Sequence, residues 1–269
     1  ILIQLAYQVG ASVDQLMLIR MLVALPCYLL LGVWAWQRLP IKPSGRDLML
    51  MALPGFACYH LASYLDMWAL QFLSAGLERI LLFSYPIMVI AIGVLQGGRL
   101  TARQSLGALV AYLGMGLFFV QDLRVQTEVP LQAVAAALLA ALLTAVYMRA
   151  SQTYGQRYSS DLFTAVAMGI TGLTIPSHYV TVHGVNLVGI SATVWGYGIV
   201  LSLVMTVLAS FVLNRGIAMV GASRGSVVGM LGPMVTLFAA AAVLNQPITA
   251  LHIADVAVTV CGVALVTRK

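Results

Sequence analysis

Two apolar stretches with polar side chains in their interiors follow one another between residues 48 and 96, in the sequence LMLMALPGFACYHLASYLDMWALQFLSAGLERILLFSYPIMVIAIGVLQ. A helix needs about 20 residues to cross a hydrocarbon core of roughly 30 Å, so residues 48–70 and 75–96 can each form one membrane span. Ionisable groups inside a span cost about 2.5–3.5 kcal/mol each on insertion scales, so they must face a partner or a water-filled cavity. These stretches therefore predict a polytopic membrane protein with a polar interior.

Composition makes lipid, rather than water, the solvent of this chain. Of its 269 residues, 61% are hydrophobic and 8% are charged, whereas a soluble domain has about 25% charged residues. The three cysteines lie singly inside apolar runs and the four histidines are scattered, so we predict neither disulfides nor a metal site. The sequence contains no phosphate-binding loop or ATPase motif, and we predict no cofactor.

The other apolar runs are also predicted to be transmembrane helices. Backbone groups in hydrocarbon must be satisfied within a helix or a closed barrel, and these runs are too long and too apolar for barrel strands. The polar segment 121–129 (QDLRVQTEV) is the predicted linker at the midpoint. The further spans are expected at residues 13–36, 101–120, 130–149, 161–180, 192–214, 222–244 and 251–267.

The two halves of the chain match each other at an offset of 147 residues, for example at Tyr7 and Tyr154, and at Pro86 and Pro233. The shared offset predicts two repeats, residues 1–126 and 127–269. Relative to the second repeat, the first lacks about 18 residues, so we expect residues 1–9 to be the end of a first helix. These nine residues have no basic leader or cleavage site and are not predicted to be a signal peptide. The prediction is thus five helices per repeat and ten in all.

An odd number of helices places the second repeat upside down relative to the first. Basic residues test this arrangement, because they collect on the cytoplasmic side. Alternate loops, starting with residues 37–47, contain eleven basic residues on one side and two on the other. We therefore expect a plasma membrane protein, in the bacterial inner membrane, with both termini in the cytoplasm. The net charge of +6 is then a signal of topology and not a nucleic-acid footprint.

Residues 74–120 (SAGLERILLFSYPIMVIAIGVLQGGRLTARQSLGALVAYLGMGLFFV) resemble the fourth and fifth helices of EamA-type carriers of the drug/metabolite transporter superfamily. A small-residue opening leads to Pro86, a loop ending in Leu-Thr and a glycine-rich helix, and residues 222–266 repeat this pattern. The resemblance implies an all-α polytopic membrane protein of ten helices in two inverted five-helix repeats. It also implies alternating-access transport of small metabolites around a central cavity, commonly export. Where the family often has a glutamate, this chain has Gly97-Gly98-Arg99.

Polar side chains of the quoted stretch are the candidate substrate-binding residues. His60 is at mid-depth, and because histidine titrates near physiological pH it can couple transport to protons or donate to a substrate carboxylate. The tyrosines supply amphipathic walls typical of small-molecule pockets, although a packing role for each side chain is the alternative. At about 100° per residue, Tyr59, Ser63 and Asp66 share one face, as do Glu78 and Tyr85. The candidates are Tyr59, His60, Ser63, Tyr64 and Tyr85.

Four charged residues are predicted to lie in the outer half of the membrane: Arg20, Asp66, Glu78 and Arg79. We interpret them as a gate or a charged cavity wall, and a static ion-pair network is the alternative. At the 147-residue offset the second repeat has lost these charges and has Thr206 in place of Tyr59. We therefore expect the first repeat to supply chemical recognition and the second mostly shape.

The sequence favours a secondary transporter that exports a small polar or amphipathic metabolite, an amino acid or a related compound. Its expected partners are this substrate, the lipid bilayer, and protons or a counter-solute, without nucleic acid. A membrane channel or receptor with the same helical cavity is the alternative. Residues 221–225 match G-x-S-x-G with Ser223 as nucleophile, but a hydrolase of that type needs a strand-to-helix turn and a nearby histidine, so we predict no enzyme.

Overall fold

The computed structural model describes Gly10 and residues 13–98, 101–123, 129–184, 191–244 and 249–267. Throughout these ranges the regular secondary structure is helical, without a strand. The predicted helix end at residues 1–9, most of the linker, and Arg99, Arg124, Arg268 and Lys269 of the charge argument lie outside the described residues.

The helices follow the predicted spans closely. They are α1 (Val13–Arg38), α2 (Gly45–Phe56), α3 (Ser63–Ala69), α4 (Ala75–Leu82), α5 (Tyr85–Leu95), α6 (Ala102–Leu123), α7 (Leu131–Tyr154), α8 (Ser160–His183), α9 (Ala192–Val200), α10 (Ala209–Val220), α11 (Ala222–Gly229), α12 (Gly232–Leu244) and α13 (Ala250–Thr267). Segments of wider π-helix lie at Ala57–Ala62, Gly155–Ser159 and Leu201–Leu208.

Five helical stretches of the described ranges are long and apolar enough to cross a membrane. They are Gln15–Arg38, Gly45–Ala69, Gly76–Leu95, Leu131–Val182 and Ala192–Val220. The fourth has 52 residues and contains two predicted spans. The polar connection expected between these spans is largely helical, and Ser159, whose backbone is extended, caps the start of α8 through its Oγ. In the described ranges the chain is therefore all-helical as predicted, with helices long and apolar enough to span a membrane.

Two spans are interrupted just before a proline. Helix α4 ends at Leu82 and α5 begins at Tyr85, and α11 ends at Gly229 and α12 begins at Gly232. Proline has no backbone N–H and clashes with the preceding turn, so helix breaks occur at Pro86 and Pro233. Both edges of the second break lie 147 residues after those of the first. The argument that placed Glu78 and Tyr85 on one face assumed an unbroken helix and does not hold.

The π-helical segment Ala57–Ala62 contains Tyr59 and His60. Hydrogen bonds from residue i to i+5 widen the turn, so side chains there do not follow the 100° spacing of an α-helix. The inference that Tyr59, Ser63 and Asp66 share one α-helical face is therefore wrong in its geometry. Such segments are frequent at functional sites.

The described chain packs into two compact units, and each combines segments of both predicted repeats. Unit 1 contains residues 1–60 and 150–219, and unit 2 contains residues 61–149 and 220–269. In unit 1, α8 packs along α1 and α2. Gly55 permits the second contact, because a Cβ atom there would lie 2.3 Å from the carbonyl oxygen of Ala167.

Unit 2 is built on the close packing of α6 against α13. A Cβ atom on Gly262 would lie 2.3 Å from the backbone nitrogen of Ala111, and one on Gly114 would lie 2.5 Å from Thr259 Oγ1. Small residues of this kind let membrane helices approach closely where lipid gives no hydrophobic driving force between them. On another side of the unit, buried alanines of α7 pack against Ala69 and Leu73.

Candidate functional site

In unit 1, Arg20 is held by hydroxyl groups. Its Nε donates to Thr206 Oγ1 over 3.1 Å, and Ser202 Oγ donates to the Arg20 carbonyl oxygen over 2.7 Å. Both partners lie in the π-helical segment Leu201–Leu208, against which α1 packs. None of the described carboxylates forms an ion pair with Arg20. Arg20 is thus a half-buried cation within a span, and the hydrogen-bond partner of its guanidinium is a neutral hydroxyl.

A second hydroxyl contact joins α1 to α10, the helix that follows this π-helical segment. Tyr28 Oη lies 3.0 Å from Ser210 Oγ, and Ser210 in turn donates to the carbonyl oxygen of Val207. The Tyr28 ring stacks on Phe211 with centroids 5.9 Å apart, and Tyr59 packs against this cluster. The second repeat therefore supplies polar partners to side chains of the first, and the expectation that it contributes mostly shape to substrate recognition remains a prediction.

His60 lies beside a second histidine, which sequence reasoning missed. Its ring stacks on Phe56 at a centroid distance of 5.1 Å and meets His178 edge-on at 5.5 Å. His178 is in α8, 118 residues further along the chain. No sequence spacing connects the two residues, since tertiary packing of α2 on α8 brings them together.

In unit 2, Asp66, Glu78 and Arg79 lie close together. Ser74 Oγ accepts from the Leu77 amide over 3.2 Å and so sets the start of α4, which places Glu78 in its first turn. Arg79 Nε lies 3.3 Å from Glu78 Oε2, with the Glu78 side chain 0% exposed and that of Arg79 42% exposed. The Asp66 carboxyl lies close enough to that of Glu78 to interact with it directly.

The cluster is short of hydrogen-bond donors. Both carboxylate oxygens of Glu78 and Oδ1 of Asp66 are buried without a hydrogen-bond partner in the described part of the chain. Arg20 is in the other unit and bonds to Thr206, and its participation in a charge network remains a prediction.

The remaining candidates of unit 2 are dispersed. Tyr85 Oη donates to the Ser226 carbonyl oxygen over 3.1 Å. Ser63 is half-buried at the first position of α3, and Tyr64 is 56% exposed. A role of these three residues in substrate binding remains a prediction.

Sequence reasoning overlooked Asp255, a buried carboxyl group in α13. Its Oδ1 accepts from Thr259 Oγ1 over 3.3 Å, and its Oδ2 is buried without a hydrogen-bond partner among the described residues. The available signal was simple, because an ionisable residue inside an apolar span is by itself a functional candidate. Its bond to Thr259 lies at the contact of α13 with α6, where Thr259 also donates to the Ala111 carbonyl oxygen.

A groove of about 640 Å³ runs along α1, α2 and α8 in unit 1. Its walls are almost entirely apolar and include Tyr28, Trp36, Ala52 and Ile170. A polar ligand needs a few convergent polar groups, and this groove contains none of the predicted substrate or gating residues.

The G-x-S-x-G match lies at the start of a helix that follows another helix. Gly221 has φ +88° and precedes α11, and the Ser223 carbonyl oxygen accepts from Ser226 Oγ. A nucleophile elbow requires a strand before the serine, and α10 occupies that position instead. Within the described ranges, no three metal-ligating side chains lie close enough together to hold an ion.

One comparison with known proteins identifies a family. The model of the "EamA-like transporter family" matches residues 1–120 and 131–268. The "Uncharacterized transporter YcbK" of Bacillus subtilis (strain 168) is 27% identical over 250 residues, which cover 91% of this chain and 80% of that protein. A solved crystal structure superposes with a TM-score of 0.78 at 16% identity, covering 98% of this chain and 91% of that one, and it supports the fold alone.

Proposed function

Because the chain belongs to the EamA-like transporter family, we propose that it is a secondary carrier that exports a small polar or amphipathic metabolite by alternating access. Membership makes the chain a multi-pass membrane transporter with a small-molecule substrate. The proposal adds the class of substrate, an amino acid or a related compound that bears a carboxylate. It also adds the direction, and a location in the bacterial inner membrane with both termini in the cytoplasm.

The contacts of Arg20 are the observation that carries the proposed substrate class. A guanidinium has five N–H donors, and in the described chain only Nε of Arg20 is engaged, by Thr206 Oγ1. The other nitrogens match a carboxylate, which arginine binds with two parallel, charge-assisted hydrogen bonds. A cation in a span is costly without a counter-charge, and a substrate carboxylate would supply that charge during transport.

The matched helix breaks support the repeat architecture on which alternating access depends. Inverted repeats are a common build of secondary transporters, with substrate sites formed near interrupted helices. The breaks before Pro86 and Pro233 are 147 residues apart, as are the sequence matches of the two predicted repeats, 1–126 and 127–269.

A thermal-shift screen of the purified protein tests the substrate class. A ligand that binds only the folded state raises stability by RT ln(1 + [L]/Kd), about 2.7 kcal/mol at 100 Kd. We expect compounds with a carboxylate, and zwitterionic amino acids among them, to raise the melting temperature, and the corresponding amines and amides to have no effect. Stabilisation by amines alone would contradict the proposal.

Vesicles of both orientations test the direction of transport. A stabilising compound should accumulate in inside-out membrane vesicles and should be released from preloaded right-side-out vesicles. Vesicles from cells without the protein are the control. Accumulation by right-side-out vesicles alone would show import and contradict the proposed direction.

A further inference from the structure

We propose that Asp66 and Glu78 form a proton-binding site in which one proton is shared between the two carboxyl groups, and that its release and rebinding couple the carrier to the proton gradient. The coupling rests on the proposed carrier function, whereas proton binding is a property of the pair itself. Nothing in the family match assigns these two residues a role.

Two carboxyl groups in contact can form a hydrogen bond only if one of them is protonated. An ionised carboxylate only accepts hydrogen bonds, so two ionised groups in contact have nothing to exchange and repel each other. Here the Asp66 and Glu78 carboxyl groups interact directly, and both oxygens of Glu78 and Oδ1 of Asp66 are buried without a hydrogen-bond partner among the described residues. One proton supplies the missing donor, because a protonated carboxyl group donates through O–H to its partner.

The charge count of the cluster leads to the same result. Asp66 and Glu78 contribute two negative charges and Arg79 one positive charge, and Arg79 Nε lies 3.3 Å from Glu78 Oε2. The start of α4 also favours one negative charge, since helix N-termini carry a partial positive charge. One negative charge remains unbalanced beside a Glu78 side chain that is 0% exposed, and one proton neutralises it.

Among the described residues, the elements packed against α4 bring no further cation to the pair. From α3 comes Asp66 itself, and from α6 comes Tyr112, whose hydroxyl donates to the carbonyl oxygen of Ile80 over 3.0 Å. Helix α7 contributes buried alanines to its contact with Leu77 and Leu81 of α4. In the part of the chain that the structure describes, Arg79 is therefore the one cation that acts on Glu78.

The pair also has a short route for proton exchange. Glu78 is the fourth residue of α4, about 5 Å along the axis from the helix start at 1.5 Å per residue. The adjacent Arg79 side chain is 42% exposed. A buried acid next to a partly solvated cation can gain or lose its proton with a small rearrangement of the first helical turn.

Carbodiimide labelling tests proton binding without knowledge of the substrate. Dicyclohexylcarbodiimide is an apolar reagent that adds to protonated carboxyl groups and yields a stable N-acylurea, which mass spectrometry locates. In the purified wild type we expect labelling of Glu78 or Asp66 that decreases at least tenfold as the pH rises across the titration of the pair. Labelling that is absent at every pH, or independent of pH, would overturn the proposal.

A variant separates a shared proton from simple burial of Glu78. In Asp66→Asn one carboxyl group remains beside Arg79 and its charge is balanced, so labelling of Glu78 at neutral pH should decrease at least tenfold. Asp255→Asn is the matched control, because it removes a different buried carboxyl group of the same unit, and it should leave the labelling of Glu78 unchanged. If Glu78 is labelled as strongly in Asp66→Asn as in the wild type, the two carboxyl groups do not share a proton.

Flux into liposomes tests the coupling. A pH gradient imposed on wild-type proteoliposomes should change the rate of substrate uptake at least fivefold, and Asp66→Asn and Glu78→Gln should lose this response. A wild-type flux that ignores the gradient would overturn the coupling. Absence of any wild-type flux, together with pH-dependent labelling, would overturn the carrier function and its coupling and still support the proton site.

Discussion

Arg20 and Thr206 are separated by 186 residues, yet the Nε atom of the arginine donates to the threonine hydroxyl over 3.1 Å. This bond orients a guanidinium within α1 and leaves its other nitrogens for a ligand. The proposal that the substrate bears a carboxylate therefore depends on the Arg20 side chain.

Replacement of Arg20 by Gln should lower the transport of a carboxylate substrate by roughly 10- to 100-fold. Hydrogen bonds to charged groups are worth about 1.5–3 kcal/mol, and about 1.4 kcal/mol is a factor of ten. Arg20→Lys should keep part of the activity, because lysine retains the positive charge but cannot form the bidentate hydrogen bonds of a guanidinium with a carboxylate. Initial rates in proteoliposomes, normalised to reconstituted protein, measure the effect.

Arg157→Gln is the control for this series. Arg157 is an exposed partner of Asp47 at a distance of 3.4 Å, and exposed ion pairs contribute little to stability. Its transport rate should equal that of the wild type. An Arg20→Gln variant that transports at the wild-type rate would remove Arg20 from the site.

Gly262→Ala should destabilise the protein by about 1–3 kcal/mol, the usual cost of overpacking. Its Cβ atom would lie 2.3 Å from the backbone nitrogen of Ala111, and backbone atoms of a packed helix pair cannot move aside locally. Gly116→Ala on α6 is the matched control, because a Cβ atom there meets nothing within 4 Å. Thermal unfolding in detergent should show a lower midpoint for the first variant alone, and equal midpoints would contradict the packing of α6 on α13.

Tyr85→Phe distinguishes the two interpretations of this tyrosine. The substitution removes the bond to the Ser226 carbonyl oxygen, and interhelical hydrogen bonds in membranes average about 0.6 kcal/mol. If Tyr85 has only a packing role, the melting midpoint decreases slightly and KM is unchanged. We expect instead a severalfold increase in KM, measured from the concentration dependence of uptake, and an unchanged KM would remove Tyr85 from the substrate site.

Reporter fusions at the carboxyl terminus test the proposed topology. The bias of basic residues toward one side predicts a cytoplasmic terminus. A fused green fluorescent protein should therefore fluoresce, and fused alkaline phosphatase, which needs the periplasm to form its disulfides, should be inactive. The reverse result would contradict the assigned orientation.

The helices could be predicted from the sequence because spans depend on local properties. Apolar length set their extents within a few residues for most spans, whereas the interruptions before Pro86 and Pro233 were not predicted. Residue counts also place Asp66, Glu78 and Arg79 near the same end of consecutive helices, and this is why the sequence analysis grouped them. Hydrophobicity and rise per residue were sufficient for these features.

Features that depend on helix contacts were not predictable. The π-helical segment Ala57–Ala62 alters the directions in which the Tyr59 and His60 side chains point, and its position could not be read from the composition of the sequence. The pairing of His60 with His178 depends on packing between α2 and α8, as the bond of Arg20 to Thr206 depends on packing of α1 against Leu201–Leu208. A helical-wheel projection of a single α-helix cannot predict contacts between residues on different helices.

Counterflow into proteoliposomes tests the central claim, that the protein is a carrier, most directly. Liposomes preloaded with an unlabelled stabilising compound should accumulate the labelled compound transiently above its external concentration, with a rate that saturates. A carrier exchanges solutes through a site that is exposed to one side at a time, which produces this overshoot. Uptake that increases linearly with concentration and is not accelerated by preloading would show a channel and contradict the account.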